Sequence, residues 1–83
     1  MTEQQIQAKI IKRLESQGWY VIKLIKTNKN GIPDLLAIKP PQIKLLEVKK
    51  PLTGILSKLQ EFRIKELQEH GIEASVITSE QDL

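Results

Sequence analysis

Asp34-Leu35-Leu36-Ala37-Ile38-Lys39-Pro40-Pro41-Gln42-Ile43-Lys44-Leu45-Leu46-Glu47-Val48-Lys49-Lys50 is the stretch that decides the fold. Two apolar runs flank Pro40-Pro41-Gln42, a connection short enough for a hairpin. The pattern predicts one strand over 34–38 and another over 43–50. Side chains alternate across a strand, so Glu47 and Lys49 share one face while Leu46 and Val48 take the other. The hairpin sets the two strands side by side and lets Asp34 approach Glu47.

Towards the N-terminus, Thr27 to Pro33 contains Asn30-Gly31 and a proline and reads as loop. Trp19 to Ile25 is aromatic and β-branched and predicts a strand. Thr2 to Gln17 predicts a helix: Thr2 and Gln5 fit a capping box, Ile6, Ile10, Ile11 and Leu14 recur at helical spacing, and Gly18 is a stop. Towards the C-terminus, Pro51 to Gly54 is a break. Leu56 to His70 predicts a second helix, with Ser57 or a neighbour near its start and Gly71 at its end. Ile72 to Thr78 predicts a fourth strand, and the polar tail Ser79 to Leu83 is expected to fray. The order is αβββαβ, an α/β domain with a four-stranded mixed sheet flanked by helices. The second helix would be the crossover to a parallel fourth strand.

The 83 residues make one domain, 1–83, whose core is modest because so short a chain buries only about 60–65% of its unfolded surface. The absence of cysteine excludes disulfides and thiolate metal sites. With one histidine, no histidine metal cluster is possible. No apolar run is long enough to span a membrane and no leader is evident, so a cytoplasmic location, bacterial or in a phage-infected host cell, is expected. The net charge of +3 is too small to identify a nucleic-acid binder by itself. Its distribution says more: Lys23, Lys26, Lys29, Lys39, Lys44, Lys49 and Lys50 crowd the middle, and between Lys23 and Lys50 only Asp34 and Glu47 are acidic. Two readings are open, a solvated basic face with two incidental acids or a phosphate-binding surface around a metal site.

Glu47 and Lys49 would lie about 6–7 Å apart along a rigid strand. That arrangement suits metal-assisted phosphodiester hydrolysis. The carboxylate offers a hard oxygen to Mg²⁺, and the lysine can position the attacking water and offset phosphate charge. The same pair also occurs on ordinary exposed strands. Asp34 tips the balance, because two nearby carboxylates repel and a divalent cation resolves the conflict; a turn-ending Asp after Gly31-Ile32-Pro33 is the plainer account.

Two helical residues join the candidates. Glu3 projects within about 10° of the centre of the first helix's apolar stripe, although a first-turn acid also suits the helix dipole. Gln60 lies about 50° from the apolar direction of the second helix, and Arg63 about 10°. Gln60 could hold a water, a metal ligand or a phosphate oxygen, whereas Arg63 reads as a structural pairing residue.

The motifs Gly-Ile-Pro-Asp at 31–34, Leu-Leu-Glu-Val-Lys at 45–49 and Leu-Ser-Lys-Leu-Gln at 56–60 resemble the PD-(D/E)XK nuclease set, and in particular the stand-alone VRR-NUC domain of phages and repair nucleases. The likeness runs from Glu3 to about Thr78. It implies a restriction-endonuclease-like core and Mg²⁺ or Mn²⁺ held by Asp34 and Glu47, with the Val48 carbonyl as a further ligand. It also implies Lys49 as the catalytic lysine, Glu3 as the first-helix acid and Gln60 as the second-helix glutamine. DNA as partner, branched as in a Holliday junction, and a homodimer are implied too. The chain lacks the long insertions of the repair enzymes. Two rivals stand beside this reading: a non-catalytic nucleic-acid-binding module that keeps the fold, and a purely structural phage protein.

Overall fold

Thr2 starts the first helix as the sequence requires. Its Oγ1 accepts the Gln5 N–H at 3.1 Å while Gln5 Oε1 accepts the Thr2 N–H at 2.8 Å, closing the capping box. In the computed structural model, which describes residues 1–83, this helix α1 spans Glu3–Ser16. It is followed by β1 (Tyr20–Lys23), β2 (Leu35–Lys39), β3 (Gln42–Val48), α2 (Lys58–Glu69), β4 (Glu73–Ile77) and a short 3₁₀ turn at Glu80–Asp82. The element order is the expected one.

The sheet runs β1-β2-β3-β4, antiparallel through β3 and parallel between β3 and β4. Helix α2 is the crossover that a parallel pair needs. The Lys39↔Gln42 pair closes the β2–β3 hairpin around Pro40-Pro41.

Alternation sorts the sheet's two faces. Leu35 and Ala37, Leu46 and Val48, and Ile77 join Ile6, Ile10 and Leu14 of α1 in one buried cluster. The opposite face carries Leu36, Ile38, Ile43, Leu45 and Glu47. Over its β4 side, Ile64 and Gln68 of α2 lie beside Ala74 and Val76, and Gln68 Nε2 donates to the Ala74 carbonyl at 2.8 Å. No helix is long and apolar enough to cross a membrane.

Three expectations change. Strand β3 ends at Val48 rather than Lys50, so Lys49 follows the strand, with its N–H still donating to the Ile77 carbonyl at 3.1 Å. Strand β1 stops at Lys23 rather than Ile25: the Leu24 N–H to Asp34 carbonyl bond at 2.8 Å is the last rung to β2, and Ile25 is exposed. The tail does not fray: Ser79 Oγ accepts the Gln81 N–H at 3.1 Å and caps the 3₁₀ turn, and Leu83 packs against the α1 cluster.

Candidate metal and nuclease centre

The β2–β3 register explains how the two acids meet. Leu35 pairs with Leu46, so one step further along the antiparallel ladder sets Asp34 opposite Glu47. Directly opposed side chains on one face lie about 4.5–5.5 Å apart at Cβ. Asp34 is in the bend just before β2, and Asp34 Oδ2 accepts the Val48 N–H at 2.9 Å. That bond fixes the carboxylate against the last residue of β3. Across the ladder the Asp34 carboxyl neighbours Glu47 closely enough to raise its pKa.

Glu47 is 2% exposed, the one acidic residue buried in the chain. Burial and the neighbouring Asp34 carboxyl push its pKa from 4.5 up to about 8; Lys49 acts in the opposite sense and Glu3 adds slightly to the rise. Lys49 Nζ stands 4.0 Å from Glu47 Oε2, at the outer limit of an ion pair, on a side chain that is 15% exposed. The ammonium is thus near the acids without being committed to either.

Gly54 shapes the lysine's surroundings. The chain turns after β3, with the Gly54 N–H donating to the Lys50 carbonyl at 3.0 Å. A Cβ at Gly54 would lie 2.7 Å from the Lys50 backbone and 2.9 Å from Lys49 Cβ. Only glycine permits this approach. The break at Pro51 to Gly54 therefore places a glycine where the chain must pass close to Lys49-Lys50.

The other candidates lie around the pair. Glu3 is exposed in the first turn of α1, beyond the end of the buried stripe formed by Ile6, Ile10 and Leu14. No set of three His, Cys, Asp or Glu side chains closes into a metal cage, though Glu3 is near enough to Glu47 to raise its pKa slightly. Gln60 occupies the third position of α2, where its Oε1 accepts the Ser57 N–H at 2.9 Å and Ser57 Oγ accepts the Gln60 N–H at 3.1 Å. Its carbonyl oxygen is therefore part of a capping box, and its amide nitrogen has no partner within the chain. Arg63 clamps structure as expected: Nε donates to the Asn30 carbonyl at 2.8 Å and Nη1 meets Glu66 Oε1 at 3.1 Å. His70 Nδ1 lies 2.7 Å from the Glu66 carbonyl at the end of α2.

A family model described as "VRR-NUC domain" matches residues 1–81. Among matching solved structures, one described as a VRR-NUC domain is 30% identical and superposes with a TM-score of 0.84, over 96% of this chain and 87% of the other. A search of curated proteins gave no significant match.

Proposed function

The chain belongs to the VRR-NUC domain family, and from that premise we propose that it is a Mg²⁺- or Mn²⁺-dependent DNA endonuclease acting on branched, Holliday-junction-like DNA. The observation that carries the reading is the buried Glu47 carboxyl set opposite Asp34 across the β2–β3 ladder, with Lys49 Nζ 4.0 Å from Glu47. An ordinary exposed Glu–Lys pair would not place a carboxylate in the interior against a second carboxylate. Leaving two such acids together costs free energy unless one keeps its proton or a cation binds both.

The donor set suits a hard divalent cation. Asp34 and Glu47 would hold it, with the Val48 carbonyl, on the peptide joining Val48 to Lys49, as a further oxygen ligand. When bound, the ion supplies Lewis-acid polarisation of the phosphate and neutralises charge on the two acids. The chain's own groups do the rest. The Val48 N–H orients Asp34, Lys49 positions the attacking water and offsets charge gathering on the phosphate oxygens, and burial of Glu47 keeps bulk water from screening the site. Glu3 and the Gln60 amide nitrogen are assigned supporting roles, reached only if α1's first turn and the α2 cap adjust around substrate.

A homodimer fits the same reading. Tyr20, Ile38 and Ile43 form one row across β1, β2 and β3 on the sheet face opposite α1, with Tyr20 69% and Ile43 46% exposed. A second copy related by a two-fold axis would bury one row against the other and present two sites to a symmetric substrate.

The test is a cleavage panel of linear, flap and four-way-junction DNAs with Mn²⁺, with and without chelator. Metal-dependent cutting that favours the junction supports the proposal. DNA binding without cutting on any substrate would favour the non-catalytic module.

A further inference from the structure

The loop between β1 and β2 forms a polar cavity of about 290 Å³ beside the candidate centre. Lys26, Thr27, Lys29, Asn30, Gly31 and Asp34 line it. Two features suit it to an anion. The two lysines outweigh the single acid. In addition, apart from the Asn30-Gly31 turn, the backbone N–H groups from Ile25 to Asp34 have no acceptor within the protein. A concavity lined by two lysines, in a loop with amide donors left free, suits an anion.

The loop is also held in shape. Its ends are tied by the Leu24 N–H to the Asp34 carbonyl. Thr27 Oγ1 donates to the Lys29 carbonyl at 2.6 Å, and Arg63 Nε to the Asn30 carbonyl. Gly31, at φ +81°, lets α2 close against the loop, since a Cβ there would lie 2.8 Å from Leu59 Cγ. A receptor fixed before its ligand arrives loses less entropy on binding.

Asp34 belongs both to this cavity and to the acid pair, so an anion in the loop lies next to a phosphate at the centre. We propose that the Leu24–Pro33 loop binds the DNA backbone phosphate adjacent to the one that is cut, with Lys26 and Lys29 supplying charge and the loop amides supplying hydrogen bonds. This rests on the nuclease reading above. The loop then sets how the strand enters, and Lys26 and Lys29 act as positioning residues.

The test compares full-length wild type with Lys26→Ala/Lys29→Ala, Lys26→Arg/Lys29→Arg and a control, Lys12→Ala/Lys65→Ala, that removes the same charge elsewhere. Affinity for a fluorescent four-way junction is measured in chelator over a salt series, and cleavage is measured with Mn²⁺. The plot of log affinity against log salt should become less steep by about one per lysine lost in the alanine pair. KM should rise at least tenfold with kcat within threefold of wild type. The arginine pair should keep the wild-type slope, and so should the control.

An unchanged slope in the loop alanine pair, or an equal loss in the control, overturns the loop assignment while wild-type cleavage leaves the nuclease reading intact. Wild type that binds without ever cutting overturns the nuclease reading and the adjacent-phosphate assignment with it, even if the slope falls as expected.

Discussion

Asp34 stands opposite Glu47 where β2 begins and β3 ends, and Glu47 is buried there. Burial and the Asp34 carboxyl raise the Glu47 pKa to about 8, so Glu47 keeps its proton at neutral pH. Metal-free protein therefore carries a frustrated centre, and its consequences reach stability, metal affinity and chemistry.

Stability should fall as the pH rises. Glu47 titrates at 4.5 when unfolded and at about 8 when folded, so the folded state holds more protons across that window. A state that holds more protons is disfavoured as protons become scarce. Glu47's stabilising contribution is complete below pH 4.5 and is lost by about pH 8. Glu47→Gln keeps the shape and removes the titration. In chelator at pH 8 it should be more stable than wild type by about 2 kcal/mol, roughly 10 °C in Tm for a domain this small. The two melting curves should converge towards pH 4.5.

Metal and proton should compete for the same oxygens. Mn²⁺ affinity, read by calorimetry or by the Tm shift at fixed metal, should rise about tenfold per pH unit between roughly pH 6 and 7 and level off above about 8. Calorimetry in buffers of different ionisation enthalpy should count about one proton released per ion at pH 7. Affinity independent of pH would place the ion elsewhere.

Gly54→Ala should damage the site without touching a candidate ligand. The added Cβ meets the Lys50 backbone at 2.7 Å, and backbone must move to admit it. The expected cost is about 1–3 kcal/mol in thermal denaturation. Displacing Lys49 by even about 1 Å should slow single-turnover cleavage on the order of 100-fold. A variant with wild-type rate would show that Lys49's position is set elsewhere.

Ile43→Glu should separate the dimer. Ile43 stands at the end of the exposed row with Tyr20 and Ile38, and a charge there faces its own copy across a two-fold axis. Sedimentation should give the mass of two 9.5 kDa chains for wild type and of one for the variant, with the Tm of the variant within a few degrees. Wild type that sediments as a single chain would remove the sheet face as the contact.

Much of this centre was legible in the sequence, because two simple periods govern it. Strand alternation puts Glu47 and Lys49 on one face, and the short Pro40-Pro41 connection brings Asp34 across. The Ser57-Leu59-Gln60 region also carried its own message: Ser-x-x-Gln is a capping box, and Gln60 Oε1 is used for it. Projection on an ideal helix could not show this, since it gives direction but not whether a side chain already has a partner. Glu3 shows the same limit: its direction matches the stripe, but the core begins one turn later at Ile6, and Glu3 itself is exposed while still acting on Glu47 through space. The Val48 N–H bond to Asp34 and the loop amides beside it depend on backbone geometry, which side-chain patterns do not record.

The measurement that reaches the central claim most directly is single-turnover cleavage of a four-way junction in Mn²⁺ by wild type, Asp34→Ala and Lys49→Ala, with junction affinity measured in parallel in chelator. The account predicts cutting by wild type that chelator abolishes. It predicts rates lower by about 10²–10⁴ in both variants, with affinity within a few-fold of wild type. Cleavage at the wild-type rate in Asp34→Ala or Lys49→Ala would contradict it.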